Sequence, residues 1–100
     1  MSDVTNGIGG SETVGTTANY STVSTDHKQA MTLKVWNTHA TQTLYATVNT
    51  YASGGPAHET ASAVAIPAGE NFFFVSHDKP IRSLGLSASG ADTTATWGAY

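Results

Sequence analysis

The stretch IPAGENFFFVSHDKPI, residues 66–81, holds a Pro-Ala-Gly turn, three consecutive phenylalanines and a polar break ending in proline. A β-strand sends alternate side chains to opposite faces. Written as a strand, NFFFVS points Phe72 and Phe74 one way and Phe73 the other. One of those faces is expected to be the core. The other leaves Phe73 in need of cover.

The same alternation recurs on both sides of this stretch. AMTLKVWN sets Met31, Leu33 and Val35 against Thr32, Lys34 and Trp36. QTLYATVNTY sets Leu44, Ala46 and Val48 against Tyr45, Thr47 and Asn49. The short polar NTHAT between them predicts a hairpin. SGGPAHET is a loop by its Gly-Gly-Pro. ASAVAI then puts Val64 and Ile66 on one face. HDKP breaks the strand of phenylalanines, because proline donates nothing to a ladder. SLGLSAS turns Leu84 and Leu86 inward, and Ile81, out of phase with them, predicts a bend or bulge near Arg82 and Ser83. GAD turns the chain again. TTATWGAY closes with Ala95, Trp97 and Ala99 on one face.

About six short strands at regular spacing, with no helical pattern, predict an all-β fold: a small antiparallel β-sandwich or barrel. The expected core is Leu33, Val35, Leu44, Val48, Val64, Ile66, Phe72, Phe74, Leu84 and Leu86. Residues 1–28 are different in character. They are rich in Gly, Ser and Thr, and Val4, Ile8, Val14, Tyr20 and Val23 stand isolated. Such a segment buries too little apolar surface alone to offset its ordering entropy. The expectation is an extended or flexible N-terminal arm over 1–28, ordering on a neighbouring subunit through Val14, Tyr20 and Val23, and a β-sandwich domain over 29–100.

Composition narrows the function. Charged residues are 11% of the 100-residue chain and the net charge is -3. With three lysines and one arginine, no basic patch can neutralise phosphates, so direct nucleic-acid binding is not expected. No run of 18 apolar residues spans a membrane. The start has neither a basic leader nor an apolar segment, so synthesis and first folding are expected in a cytoplasm. Sixteen threonines predict a neutral, hydroxyl-rich surface. The absence of cysteine rules out disulfides and thiolate metal sites.

Chemistry is sparse. His27, His39, His58 and His77 each fall in a turn or loop, without a second ligand at metal-site spacing. A Ser76, His77 and Asp92 set has no nucleophile-elbow motif around it. The seven carboxylates form no glycosidase-like pair, and GIGG lacks the strand, helix and third glycine of a nucleotide loop. No catalytic residue, cofactor or metal is expected, and the chain is not expected to be an enzyme. Surface aromatics remain. Phe73 with Trp36 and Tyr45 would form an interaction patch if they shared a face. Trp97 and Tyr100 are further candidate contacts.

The order LKVWN, a polar loop, a second strand, AIPAGENFFF and then KPIRSLGLSASGADTTATW resembles the small β-sandwich virion proteins of tailed bacteriophages over about residues 31–97. The arm before residue 29 lies outside that pattern. The resemblance implies a structural role in the virion, as capsid decoration, neck or tail accessory, or head-fibre protein. It implies partners that are copies of the chain itself and other virion proteins such as the major capsid protein, and it carries over no catalytic residues. The alternative expectation is a receptor- or carbohydrate-binding module at a fibre tip, using the loops near His39, His58 and His77.

Overall fold

A computed structural model describes residues 8–25, 28–50, 59 and 62–100. The fold is all-β. Among the described residues eight strands run in order: β1 (Ile8–Val14), β2 (Asn19–Thr22), β3 (Thr32–Asn37), β4 (Leu44–Asn49), β5 (Val64–Ile66), β6 (Asn71–Val75), β7 (Ser83–Ala88) and β8 (Thr93–Ala99). They form two four-stranded sheets, β1-β8-β3-β6 and β2-β7-β4-β5, antiparallel throughout.

The pairing has a simple logic. β4 pairs with β5, β3 with β6, β2 with β7 and β1 with β8. The chain is therefore one long antiparallel hairpin folded about the β4–β5 connection. Rolling that hairpin adds two more pairings, β3 with β8 and β4 with β7, which complete the sheets. This is the jelly-roll arrangement of a double-sheet sandwich. The order follows from burial: a rolled hairpin puts one face of every strand inside.

Inside lie Leu33, Val35, Leu44, Ala46, Ile66, Ile81, Leu84 and Leu86, all essentially inaccessible. Each large aliphatic member contributes about 2–3 kcal/mol through burial. Val48, Val64 and Phe74 pack against this cluster at its rim. Phe72 corrects the expected core. It pairs with Val35 and so points inward, yet it is 40% exposed because β6 lies at the sheet edge, with no strand beyond it among the described residues. The irregularity expected near Arg82 is present. Both Val23 N–H and Ser24 N–H donate to the Arg82 carbonyl, at 2.8 and 3.3 Å, where β2 leaves β7.

The expected arm is corrected for its described part. β1 and β2 are strands of their own domain, one in each sheet. Val14 and Val23, expected on a neighbour, are 4% and 3% exposed in this core. The reason the pattern escapes notice is chemical. The inward positions of β1, set by its pairing with β8, are Ile8, Gly10, Glu12 and Val14. Gly10 makes room for the Trp97 indole, since a Cβ there would lie 3.2 Å from its Nε1. Glu12 is kept inside by hydrogen bonds. Its Oε2 accepts from Trp97 Nε1–H at 3.4 Å and Ser21 Oγ–H at 3.2 Å, and its Oε1 from Asn19 Nδ2–H at 3.4 Å. Apolar alternation is thus interrupted at two positions where the fold is regular. Residues 1–7 lie outside the described residues.

The polar centre of the fold is Asn37, at the end of β3 and 0% exposed. Its Nδ2 donates to Gln42 O at 2.8 Å and to Ile66 O at 2.9 Å, and its Oδ1 accepts from His39 N–H at 3.0 Å. Its backbone N–H donates to Glu70 O at 2.8 Å, and its carbonyl accepts from Gly69 N–H at 2.9 Å. One residue therefore ties the β3–β4 and β5–β6 crossovers together, two of the four links that pass between the sheets at this end. Between them, Pro67–Glu70 is a turn closed by Glu70 N–H to Pro67 O, with Gly69 at φ 77°, a conformation glycine adopts without strain.

Asn37→Ala is expected to lower unfolding stability by about 2–3 kcal/mol, because it strands buried carbonyls and an N–H. Urea unfolding reads this as a lower midpoint at unchanged slope. A change below about 0.5 kcal/mol would show that water replaces the side chain.

Candidate interaction surface

β3 alternates cleanly: Leu33, Val35 and Asn37 go inward and Thr32, Lys34 and Trp36 outward. Register carries this alternation across the sheet. Phe73 sits opposite Lys34, Asn71 opposite Trp36, and Val75 opposite Thr32. On the other side, Gly98 sits opposite Lys34 and Thr96 opposite Trp36. Tyr100 exchanges backbone hydrogen bonds with Thr32 and so joins the same row. The outer face of the β1-β8-β3-β6 sheet therefore gathers Trp36, Phe73, Val75 and Tyr100 around Lys34. These four side chains are 44–58% exposed. Within the described chain, nothing covers Phe73.

The patch is ordered. Lys34 Nζ lies 5.8 Å from the Trp36 ring centroid and 5.9 Å from that of Phe73, within cation–π range of both. The Trp36 indole N–H donates to Gly69 O at 3.3 Å, so the Pro67–Glu70 turn that sets β6 also orients this ring. Beside it, Lys34, Trp36, Thr96 and Gly98 line a shallow apolar hollow of about 180 Å³ over the backbone of Trp97. The absence of a side chain at Gly98 leaves the floor low enough to form it.

The other expected contacts divide. Tyr45 does not share this face. It follows the inward Leu44 on β4 and pairs with Ser87 and Ala65, so it lies on the outer face of the second sheet. Tyr20, 56% exposed and paired with Gly85, lies on that face too. The face is otherwise made of small and hydroxyl-bearing residues such as Thr22, Thr47, Ala65 and Ser83. Trp97 is corrected as a contact: it pairs with Val35, points inward and is 7% exposed. Lys34 and Val75, central to the patch, were absent from the expected contacts. Strand alternation placed Lys34 beside Trp36, but a lone lysine reads as a solvated side chain until the aromatic rings are brought to it.

The loop chemistry does not converge. His39 follows β3, and its Nδ1 accepts from the backbone N–H groups of Thr41 and Gln42, both at 3.1 Å. His77 follows β6, whose end pairs with the start of β3, so it stands at the opposite end of the sheet. Asp92 precedes β8 at the His39 end, one strand length, on the order of 20 Å, from His77. Ser76 Oγ–H donates to Lys79 O. Ser76, His77 and Asp92 are thus not brought together. His27 and His58 lie outside the described residues. Among the described residues, no three histidine or carboxylate side chains gather as a metal site would need. The chain matches no protein-family model and no curated protein.

Two tryptophans in opposite settings make the geometry measurable. Trp36→Phe leaves Trp97 as reporter, with blue-shifted emission weakly quenched by acrylamide. Trp97→Phe leaves Trp36, red-shifted and readily quenched. The reverse order would invalidate the faces described.

Proposed function

We propose that the chain is a non-enzymatic structural component of a bacteriophage particle: a capsid decoration, neck or tail accessory, or head-fibre protein. It is made in the host cytoplasm and assembles with copies of itself and with other virion proteins such as the major capsid protein. The carrying observation is the outer face of the β1-β8-β3-β6 sheet, where Trp36, Phe73, Val75 and Tyr100 stay about half exposed. Leaving these groups in water serves neither folding nor solubility, and aromatic groups of this kind are the usual anchors of protein interfaces.

Further support comes from architecture and surface composition. Jelly-roll sandwiches recur in viral shells, and also in lectins, so architecture alone does not choose a function. The sparse charge favours close packing of many copies at low desolvation cost. Part of the role first expected of the N-terminal arm passes to this sheet face, because residues 8–25 contribute two strands and core side chains to their own domain.

One observation favours the second reading, a carbohydrate-binding module. An exposed indole beside a lysine and a threonine hydroxyl, around a shallow hollow, is a surface on which a sugar ring can stack. In that reading the sheet face replaces the histidine loops, of which those of His39 and His77 stand at opposite ends of the sheet.

Phe73→Ser is expected to change unfolding stability by less than about 1 kcal/mol, since the ring is half exposed, while lowering incorporation into particles. Incorporation is read by co-sedimentation with assembled particles, and glycan-array binding of the same pair of proteins separates the two readings. A folded variant that incorporates as the parent does would refute the structural role for this face.

A further inference from the structure

We propose that β6 pairs with β6 of a second copy of the chain, antiparallel about a two-fold axis through Phe73, joining two four-stranded sheets into one. The inference rests on the strand edge alone and stands whether or not the chain belongs to a virion.

The first observation is the phase of the backbone. The β3–β6 ladder is bounded by Asn37 N–H to Glu70 O at one end and Ser76 N–H to Met31 O at the other, both at 2.8 Å. Antiparallel ladders bond through alternate residues. Phe72 and Phe74 therefore exchange hydrogen bonds with Val35 and Leu33. The N–H and C=O groups of Asn71, Phe73 and Val75 point away from β3, to the open side of the sheet. Among the described residues no strand pairs there. These outward-pointing residues are centred on Phe73. A two-fold axis at that point pairs Phe73 with the partner's Phe73, and Asn71 with the partner's Val75. Each pairing joins residues whose free groups face each other. An axis through Phe72 or Phe74 would also join outward-facing residues, but only two of the three would find partners within β6, whereas the axis through Phe73 engages all three.

The second observation is what such pairing covers. β6 is apolar on both faces and exposed on both: Phe72 is 40%, Phe73 49% and Val75 58% exposed. In this register Phe72 lies opposite the partner's Phe74. Phe72 and Phe74 already stack edge to face within one chain, with centroids 5.0 Å apart, so four rings would close one cluster at the rim of the core. On the outer face the two Phe73 rings lie side by side, each flanked by its own Lys34.

The third observation is charge. Natural edge strands are guarded against pairing by lysine, proline or a bulge. β6, Asn71–Val75, has none of these. The nearest cation on the shared face, Lys34, stands one strand back. Across the pair the two lysines are three strand spacings apart, about 14 Å. That exceeds the screening length of roughly 8 Å at physiological salt, so repulsion does not oppose the contact. A second copy is favoured over a foreign strand because the pattern of free groups is its own two-fold complement.

The test uses single cysteines, since the chain has none. A hydrogen-bonded antiparallel pair holds its Cα atoms about 5.5 Å apart, a distance a disulfide spans. Under mild oxidation Phe73→Cys is expected to form a covalent dimer, while Trp36→Cys, on the same face but off the edge, stays uncoupled at the same concentration. Sedimentation of the parent chain should show a reversible dimer. Asn71→Pro, which deletes an edge N–H and keeps every aromatic ring, should weaken it by on the order of tenfold or more. Should that variant fold poorly, Val75→Lys places the missing guard charge with the same expected weakening. A chain that stays monomeric at all concentrations overturns the proposal. So does coupling through Trp36→Cys as fast as through Phe73→Cys, which would mean face-to-face stacking. A chain that couples through Phe73→Cys but is never found on particles would defeat the virion reading and leave this one intact.

Discussion

The hydrogen bonds of Asn37 set the phase of everything at the open side of the sandwich. The residue is fully buried, and both its side chain and its backbone are engaged. Through Glu70 and Gly69 it fixes where β6 begins opposite β3. A strand that starts one residue later exchanges its faces. With the observed start, Phe72 and Phe74 go to the core and Phe73 goes out. The same parity turns the backbone groups of Phe73 toward the open edge. A polar contact in the interior thereby determines which hydrophobic group the surface presents.

The two outer faces then differ sharply. One sheet shows threonine, serine and two separated tyrosines. The other shows a lysine ringed by two aromatic side chains, with Val75 and Tyr100 in the adjoining row. The lysine's attraction to both rings is worth about 0.5–1 kcal/mol at an exposed site, small for folding but enough to favour one arrangement of the patch. A surface held in its binding arrangement loses less entropy on contact. Added to an unguarded edge, this makes one side of the molecule suited to association and the other suited to water.

Much of this was legible in the residues, and the limits have chemical causes. Strands from Thr32 to Ala99 are legible because their apolar positions alternate, but the hairpin expected across the polar NTHAT is not formed: β3 and β4 lie in different sheets. β1 did not, because two of its inward positions are glycine and glutamate, whose fit depends on Trp97, Ser21 and Asn19 from other strands. Burial of Phe72 was overestimated because alternation reports direction but not distance from a sheet edge. The split of Trp36 and Phe73 from Tyr45 had the same origin. Period-2 patterns say inside or outside, while sheet membership depends on how the hairpin rolls. Trp97 aligns with Ala95 and Ala99 as expected, and the space above Gly10 takes its indole into the sandwich, which removes it from the candidate contacts.

The open edge of β6 is where two molecules are expected to meet. Residue-resolved amide hydrogen exchange, recorded in dilute solution and again at high concentration, addresses that edge directly. The amides of Asn71, Phe73 and Val75 should exchange rapidly when dilute and become protected together on concentration, while those of Phe72 and Phe74 stay protected in both. Equal, unprotected exchange at Phe73 under both conditions, with association still evident, would place the contact elsewhere and contradict the account.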